Sequence, residues 1–171
     1  MTQQQEAKPA LERREGSVIT DEMRAAVGKE SEPALLEVDK TGCRMFARAV
    51  GHTDPIFYDE EYARSKGYRG IVAPPGFLGT RVFKPAAGGV TQGRPGMGFS
   101  VPYKRVLNGG TETEYYDTVC AGDVLTARNK ITGFQERSGS MGPMLITSRE
   151  TTYTDQDGKV VAVERGTAIQ Y

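Results

Sequence analysis

The sequence predicts an α+β fold, because helical signals fill its first half and strand signals its second. Before residue 67, apolar residues recur at three- and four-residue spacing, with Cys43, Phe46, Ala47 and Val50 the clearest set. From Thr111 onward, Thr-, Tyr- and Val-rich runs alternate with turn sequences, the pattern of antiparallel strands.

Residues 1–16 are polar and charged, and are expected to form a disordered tail at least as far as Pro9. Residues 17–171 are expected to make a single domain, consistent with the total length of 171. A short helix is predicted over 21–27, with Thr20 as its N-cap and Gly28 as its stop. Ala34–Val38 reads as a short strand, and Asp39 then caps a helix running through Val50 to Gly51. The loop 52–55 contains Asp54-Pro55, a strong turn former, and Asp59 caps one or two helical turns that Gly67 closes. A helix is predicted from Pro75 or Gly76 to about Phe83, followed by a long Gly- and Pro-rich loop. Thr111–Val119, Val124–Phe134, Met144–Thr154 and Lys159–Gln170 read as strands of an antiparallel meander. Along 144–154, Leu145 and Tyr153 fall on one face, and Met144 and Ile146 on the other.

Lys and Arg total 22, as do Asp and Glu, so charge gives no reason to expect a nucleic-acid or anionic-membrane partner. No apolar run approaches bilayer-spanning length, and the first 16 residues lack the apolar stretch of a secretion signal. Cys43 and Cys120 match no metal or redox spacing, so a reduced, cytoplasmic protein is expected.

Residues 46–78, FARAVGHTDPIFYDEEYARSKGYRGIVAPPGFL, resemble the signature of the MaoC-like dehydratases, particularly the N-terminal-domain (FAS1-like dehydratase) branch. The segments VLNGG (106–110), TETEYYDTV, AGDVL (121–125) and DQDGK follow in the family's order, so the resemblance spans roughly residues 28–170. It implies a hot-dog fold, in which a curved antiparallel sheet wraps a central helix, and a dimer or double hot dog. It also implies 2-enoyl or 3-hydroxyacyl thioesters of coenzyme A or an acyl carrier protein as substrates, with no metal or organic redox cofactor.

Eliminating water β to a thioester needs a base for the α-proton and an acid for the departing hydroxyl. It also needs donors to hold the carbonyl oxygen as negative charge develops. The family pattern Gly-Asp-x-Asn-Pro-aliphatic-His supplies the acid/base pair. The corresponding stretch here is Gly51-His52-Thr53-Asp54-Pro55-Ile56-Phe57, so His52 replaces the Asp and Phe57 replaces the His. Phe57 cannot transfer a proton; the aromatic group it begins is either packing or the filling of a vestigial acid/base pocket. Ala73-Pro74-Pro75-Gly76-Phe77 falls where the resemblance puts a central-helix start, whose Gly76 and Phe77 amides would face the thioester. The plainer alternative is that Pro75 and Gly76 only open a helix.

His52, the one histidine, is a candidate substitute base polarised by Asp54; the alternative is a loop histidine beside a turn cap. Asn108 and Gly109 either shape the acyl site or form a strand-entry turn. Arg69, Arg81, Lys84 and Arg94 are candidate phosphate contacts or plain surface. GRPGMG (93–98) and SGSMG (138–142) lack the surroundings of a phosphate loop and a nucleophile elbow. Three functions therefore stand open. The chain is a dehydratase or hydratase subunit whose partner carries the Asp/His pair, a self-sufficient enzyme using His52 with Asp54, or an acyl-thioester-binding protein without turnover.

Overall fold

The computed structural model describes residues 16–82, 99–140 and 142–171. The expected tail, apart from Gly16, lies outside them, as do Phe83, Lys84, Arg94 and the Gly/Pro-rich stretch between.

The helices sit close to their expected positions because their caps are local. In α1 (Asp21–Ala26) the Thr20 hydroxyl accepts from Met23 N–H. In α2 (Lys40–Ala49) Asp39 Oδ1 accepts from Gly42 N–H at 2.8 Å, and in α3 (Glu60–Ser65) Asp59 Oδ1 accepts from Tyr62 N–H at 3.0 Å. Each side-chain oxygen satisfies an amide that the first helical turn leaves unpaired. Cys43 and Ala47 of α2 are buried, but Val50 is 52% exposed, because α2 stops one residue earlier and Val50 leaves the buried face.

The strands are β1 (Ala34–Glu37), β2 (Thr80–Arg81), β3 (Val106–Tyr115), β4 (Val124–Gly139), β5 (Gly142–Thr154) and β6 (Val160–Gln170). They form one antiparallel sheet in the order β2-β1-β4-β5-β6-β3. Two expectations need correction. Only β4, β5 and β6 form a meander, since β3 crosses to the outer edge of β6. No helix starts at Pro75: Phe77 N–H donates to Pro74 O at 2.9 Å, and Gly76 has φ +93°. That is a turn with Pro in its second position and a left-handed Gly in its third, which a helix cannot contain. The chain then enters β2, which pairs with β1 at Leu36–Arg81 and Glu37–Thr80.

The sheet curls, and its inner face carries Leu125 and Ala162, both fully buried against Cys43 of α2 and Val38. Burying side chains the size of Leu125 stabilises by about 1.5–3 kcal/mol each. At the other end of the same face, Leu145 and Phe134 pack on Ile19 and Met23. No helix among the described residues is long and apolar enough to cross a membrane.

Candidate functional site

The motif turn and the APPGFL segment are both hung on α2. Phe46 and Ala47 are consecutive on that helix. The Phe46 ring lies 5.6 Å from the Phe77 ring and beside Gly76, while Ala47 packs with Phe57, Val72 and Cys120. Val72 N–H donates to Ile56 O at 3.1 Å, which ties the two segments together.

Within the turn, Pro55–Phe57 form one 3₁₀ turn capped by Asp54, whose Oδ1 accepts from Ile56 N–H at 3.0 Å. The His52 ring packs at a tilt against Phe57, ring centroids 5.2 Å apart, and its backbone carbonyl accepts the Tyr58 hydroxyl. No hydrogen bond joins His52 to Asp54 among the described residues, and Asp54 serves the turn as its cap. Phe57 is only 8% exposed, so the position that the family pattern gives to a proton-transferring His holds a packed hydrocarbon ring.

The APPGFL segment is fitted closely to its surroundings. Ala73 and Pro74 are buried, and Ala73 N–H donates to Val119 O at 2.9 Å. A Cβ added at Gly42 of α2 would stand 2.6 Å from Phe77 Cζ, and one at Gly79 would stand 2.9 Å from Glu37 O. Both glycines therefore let this segment approach α2 and β1 more closely than a side chain allows. The Gly76 amide, expected to face a thioester carbonyl from a helix start, instead donates to Tyr115 Oη at 2.7 Å. The Phe77 amide is consumed by its own turn. Tyr115 was not visible as a site residue, because nothing in TETEYY distinguishes a strand end that reaches a loop 39 residues earlier.

Beneath this site lies a salt bridge that also had no local signal. Arg69 makes two bonds to the Asp123 carboxylate, Nη1 to Oδ1 at 2.6 Å and Nη2 to Oδ2 at 2.8 Å, and Asp123 Oδ2 also accepts Cys120 N–H. Arg69, whose side chain is 61% exposed, thus fastens the loop before Ile71 to the AGD turn. The Asp123 hydrogen bonds and charge push the Arg69 pKa further up, keeping it charged. Burial raises the Cys43 thiol to about 11, and raises Cys120 as well, so neither is a poised nucleophile.

Asn108 and Gly109 do not join the site. They lie within β3 at a bulge where Asn108 Oδ1 accepts Gly110 N–H and where a Gly109 Cβ would stand 2.6 Å from Thr167 Oγ1. Asn108 and Tyr115 are seven positions apart on β3, roughly 20 Å of chain. An open depression of about 590 Å³ is lined by Gly110, Thr111, Ser148, Glu150, Arg165 and Thr167 among others. It shares no residue with the α2 site, and of its two arginines, Arg149 and Arg165, the latter is already paired with Glu150 and Glu114.

A curled antiparallel sheet around α2, with this motif turn and segment at its mouth, defines a hot-dog protein of the dehydratase class. Residues 25–164 match the family described as FAS1-like, dehydratase domain region. The chain belongs to that family, the MaoC-like hot-dog dehydratases. It is 35% identical over 136 residues to a UPF0336 protein of Parafrankia sp., covering 77% of this chain and 86% of that one. It is 27% identical to a probable enoyl-CoA hydratase alpha subunit of Thermomonospora curvata, covering 75% of this chain but 43% of the longer protein. Among solved structures, the C-terminally truncated HadBC (3R-hydroxyacyl-ACP dehydratase) complex of Mycobacterium tuberculosis superimposes with a TM-score of 0.65 at 25% identity, covering 84% and 96% of the two chains.

Proposed function

We propose that this chain is the non-catalytic half of an acyl-thioester hydratase or dehydratase, supplying scaffold and acyl site while a hot-dog partner supplies the Asp/His pair. The observation that carries the reading is Phe57, buried in the place of the family's proton-transferring His, with the His52 ring packed against it. A hydration needs both a base and an acid, and this turn offers neither in a bonded pair. The substrate is a 2-enoyl or 3-hydroxyacyl group on coenzyme A or a carrier protein. Phe57 of the motif turn and Ala73, Pro74, Gly76 and Phe77 of the APPGFL segment are the residues assigned to the acyl site. Addition of water across a carbon–carbon double bond involves no net redox change, so the reading asks for no cofactor. Two free, buried cysteines suit a cytoplasmic location.

The partner, a second copy or a different hot-dog subunit, docks along β3. That strand ends the sheet, so among the described residues its outer backbone groups have no neighbouring strand; Val106 and Leu107 on it are 63% and 46% exposed, and Tyr116 just past its end is 52% exposed. An exposed edge strand of ten residues with an apolar start is a template for strand pairing. The relatedness to a chain of the HadBC complex and to a hydratase alpha subunit supports a two-chain enzyme.

The test is co-expression with a hot-dog subunit carrying an intact Gly-Asp-x-Asn-Pro-x-His stretch, followed by loss of enoyl absorbance with 2-enoyl thioesters. Co-purification and turnover abolished by changing the partner's Asp or His are expected. A stable complex whose turnover survives loss of the partner's pair would overturn the assignment.

A further inference from the structure

The hydrogen bond between Gly76 and Tyr115 raises a question of direction. The amide donates, so Tyr115 Oη accepts, and the phenolic proton must point elsewhere. No described residue accepts that proton, and Tyr115 is 39% exposed. Register fixes the side of the sheet: Tyr115 lies opposite Ala162, which lies opposite Tyr153, which lies opposite Ala127. Ala162 and Tyr153 belong to the cluster that packs on α2 and Phe77, so Tyr115 stands on the inner face, beside the Phe46–Phe77 pair. A neutral hydroxyl donor on a face that also carries Tyr153 and Glu164 suits a neutral acceptor, a carbonyl, better than an anion.

We infer that the Tyr115 hydroxyl is the donor to the thioester carbonyl oxygen, with the Gly76 amide fixing and polarising its oxygen. The inference rests on the acyl-thioester reading above and deepens it. In a chain N–H to O–H to O=C, accepting the first bond strengthens the second, by roughly 10–30% in condensed-phase estimates. The relay also explains why the turn at 75–77 needs a left-handed residue. A Cβ at Gly76 would stand 3.2 Å from Phe46 Cζ, so only glycine brings the amide to Tyr115 without displacing that ring. The developing negative charge of an enolate-like intermediate would then be met by a phenol and not by a helix-start amide.

The test uses the full chain with two ligands, a 2-enoyl-CoA thioester and its thioether analogue, in which a methylene replaces the carbonyl. Wild type is expected to prefer the thioester by about three- to ten-fold, the worth of one hydrogen bond. It should also lower the bound carbonyl stretch in difference infrared spectra. Tyr115→Phe is expected to bring the preference to about one and to abolish the shift. Site-specific replacement of Tyr115 by difluorotyrosine keeps the geometry, makes a stronger donor, and is expected to lower the stretch further. If Tyr115→Phe keeps both preference and shift, or the fluorinated ring changes neither, the donor is another group, such as the freed Gly76 amide, and the inference is overturned. If wild type binds neither ligand, the acyl-thioester reading itself fails. The two failures are thus told apart.

Discussion

Removing the Asp123 carboxylate tests how the site is held in place. Asp123 is 4% exposed and takes three hydrogen bonds, two from Arg69 and one from the amide of Cys120, itself 1% exposed. In Asp123→Ala the Cys120 N–H is left buried without an acceptor, which costs about 1–3 kcal/mol. The Arg69 side chain is 61% exposed and returns to water, so loss of the ion pair adds about 1 kcal/mol and not the larger figure of a fully buried pair. The sum is about 3 kcal/mol, which for a chain of this length lowers Tm by about 6–12 °C. Arg69→Ala is expected to cost as much, about 3 kcal/mol, because the buried Asp123 carboxylate is then left with the Cys120 N–H alone. The double variant should match Asp123→Ala alone, since Arg69 has little to do once the carboxylate is gone. Urea and thermal unfolding of the four proteins measure this cycle. An Asp123→Ala cost below about 0.5 kcal/mol, or strict additivity of the two changes, would refute the reasoning.

Three further outcomes are expected. Gly79→Ala forces a side chain into φ +91° and places its Cβ 2.9 Å from Glu37 O; calorimetry should show a loss of about 2–3 kcal/mol. Leu107→Lys on the β3 edge should leave Tm nearly unchanged while dissociating any oligomer seen by sedimentation, because charged edge residues block strand pairing. The hydrogen bond from Lys130 holds Glu150 below its ordinary 4.5, with Arg165 adding to it. A depressed carboxyl contributes stability that is present above pH 4.5 and lost as pH falls through the folded value. Glu150→Gln should therefore show a shallower fall in Tm below pH 4.5 than wild type, and an equal slope would contradict the pairing.

Much of this fold was legible because its determinants are local. Thr20, Asp39 and Asp59 cap the three helices from within four residues, and Gly158 turns β5 into β6 within the DQDG sequence. The failures arise where distant segments decide. Pro75-Gly76 carries a helix-opening pattern, but Tyr115 and Phe46 hold Gly76 in a left-handed turn. VLNGG joined β3 because β6 offers Thr167 and Ile169 a close approach to Gly109. Of the site, the loss of the acid/base pair could be read directly from His52 and Phe57, whereas Tyr115 and the Arg69–Asp123 pair span 39 and 54 residues of sequence.

The central claim is that this chain binds acyl thioesters without transforming them unaided. Its most direct test is the purified chain with 2-enoyl-CoA of several chain lengths, turnover followed by enoyl absorbance and binding by calorimetry, beside His52→Ala. The account predicts saturable binding, no turnover, and no effect of His52→Ala on either. Turnover by the chain alone that disappears in His52→Ala would contradict it and make His52 the base of a self-sufficient enzyme.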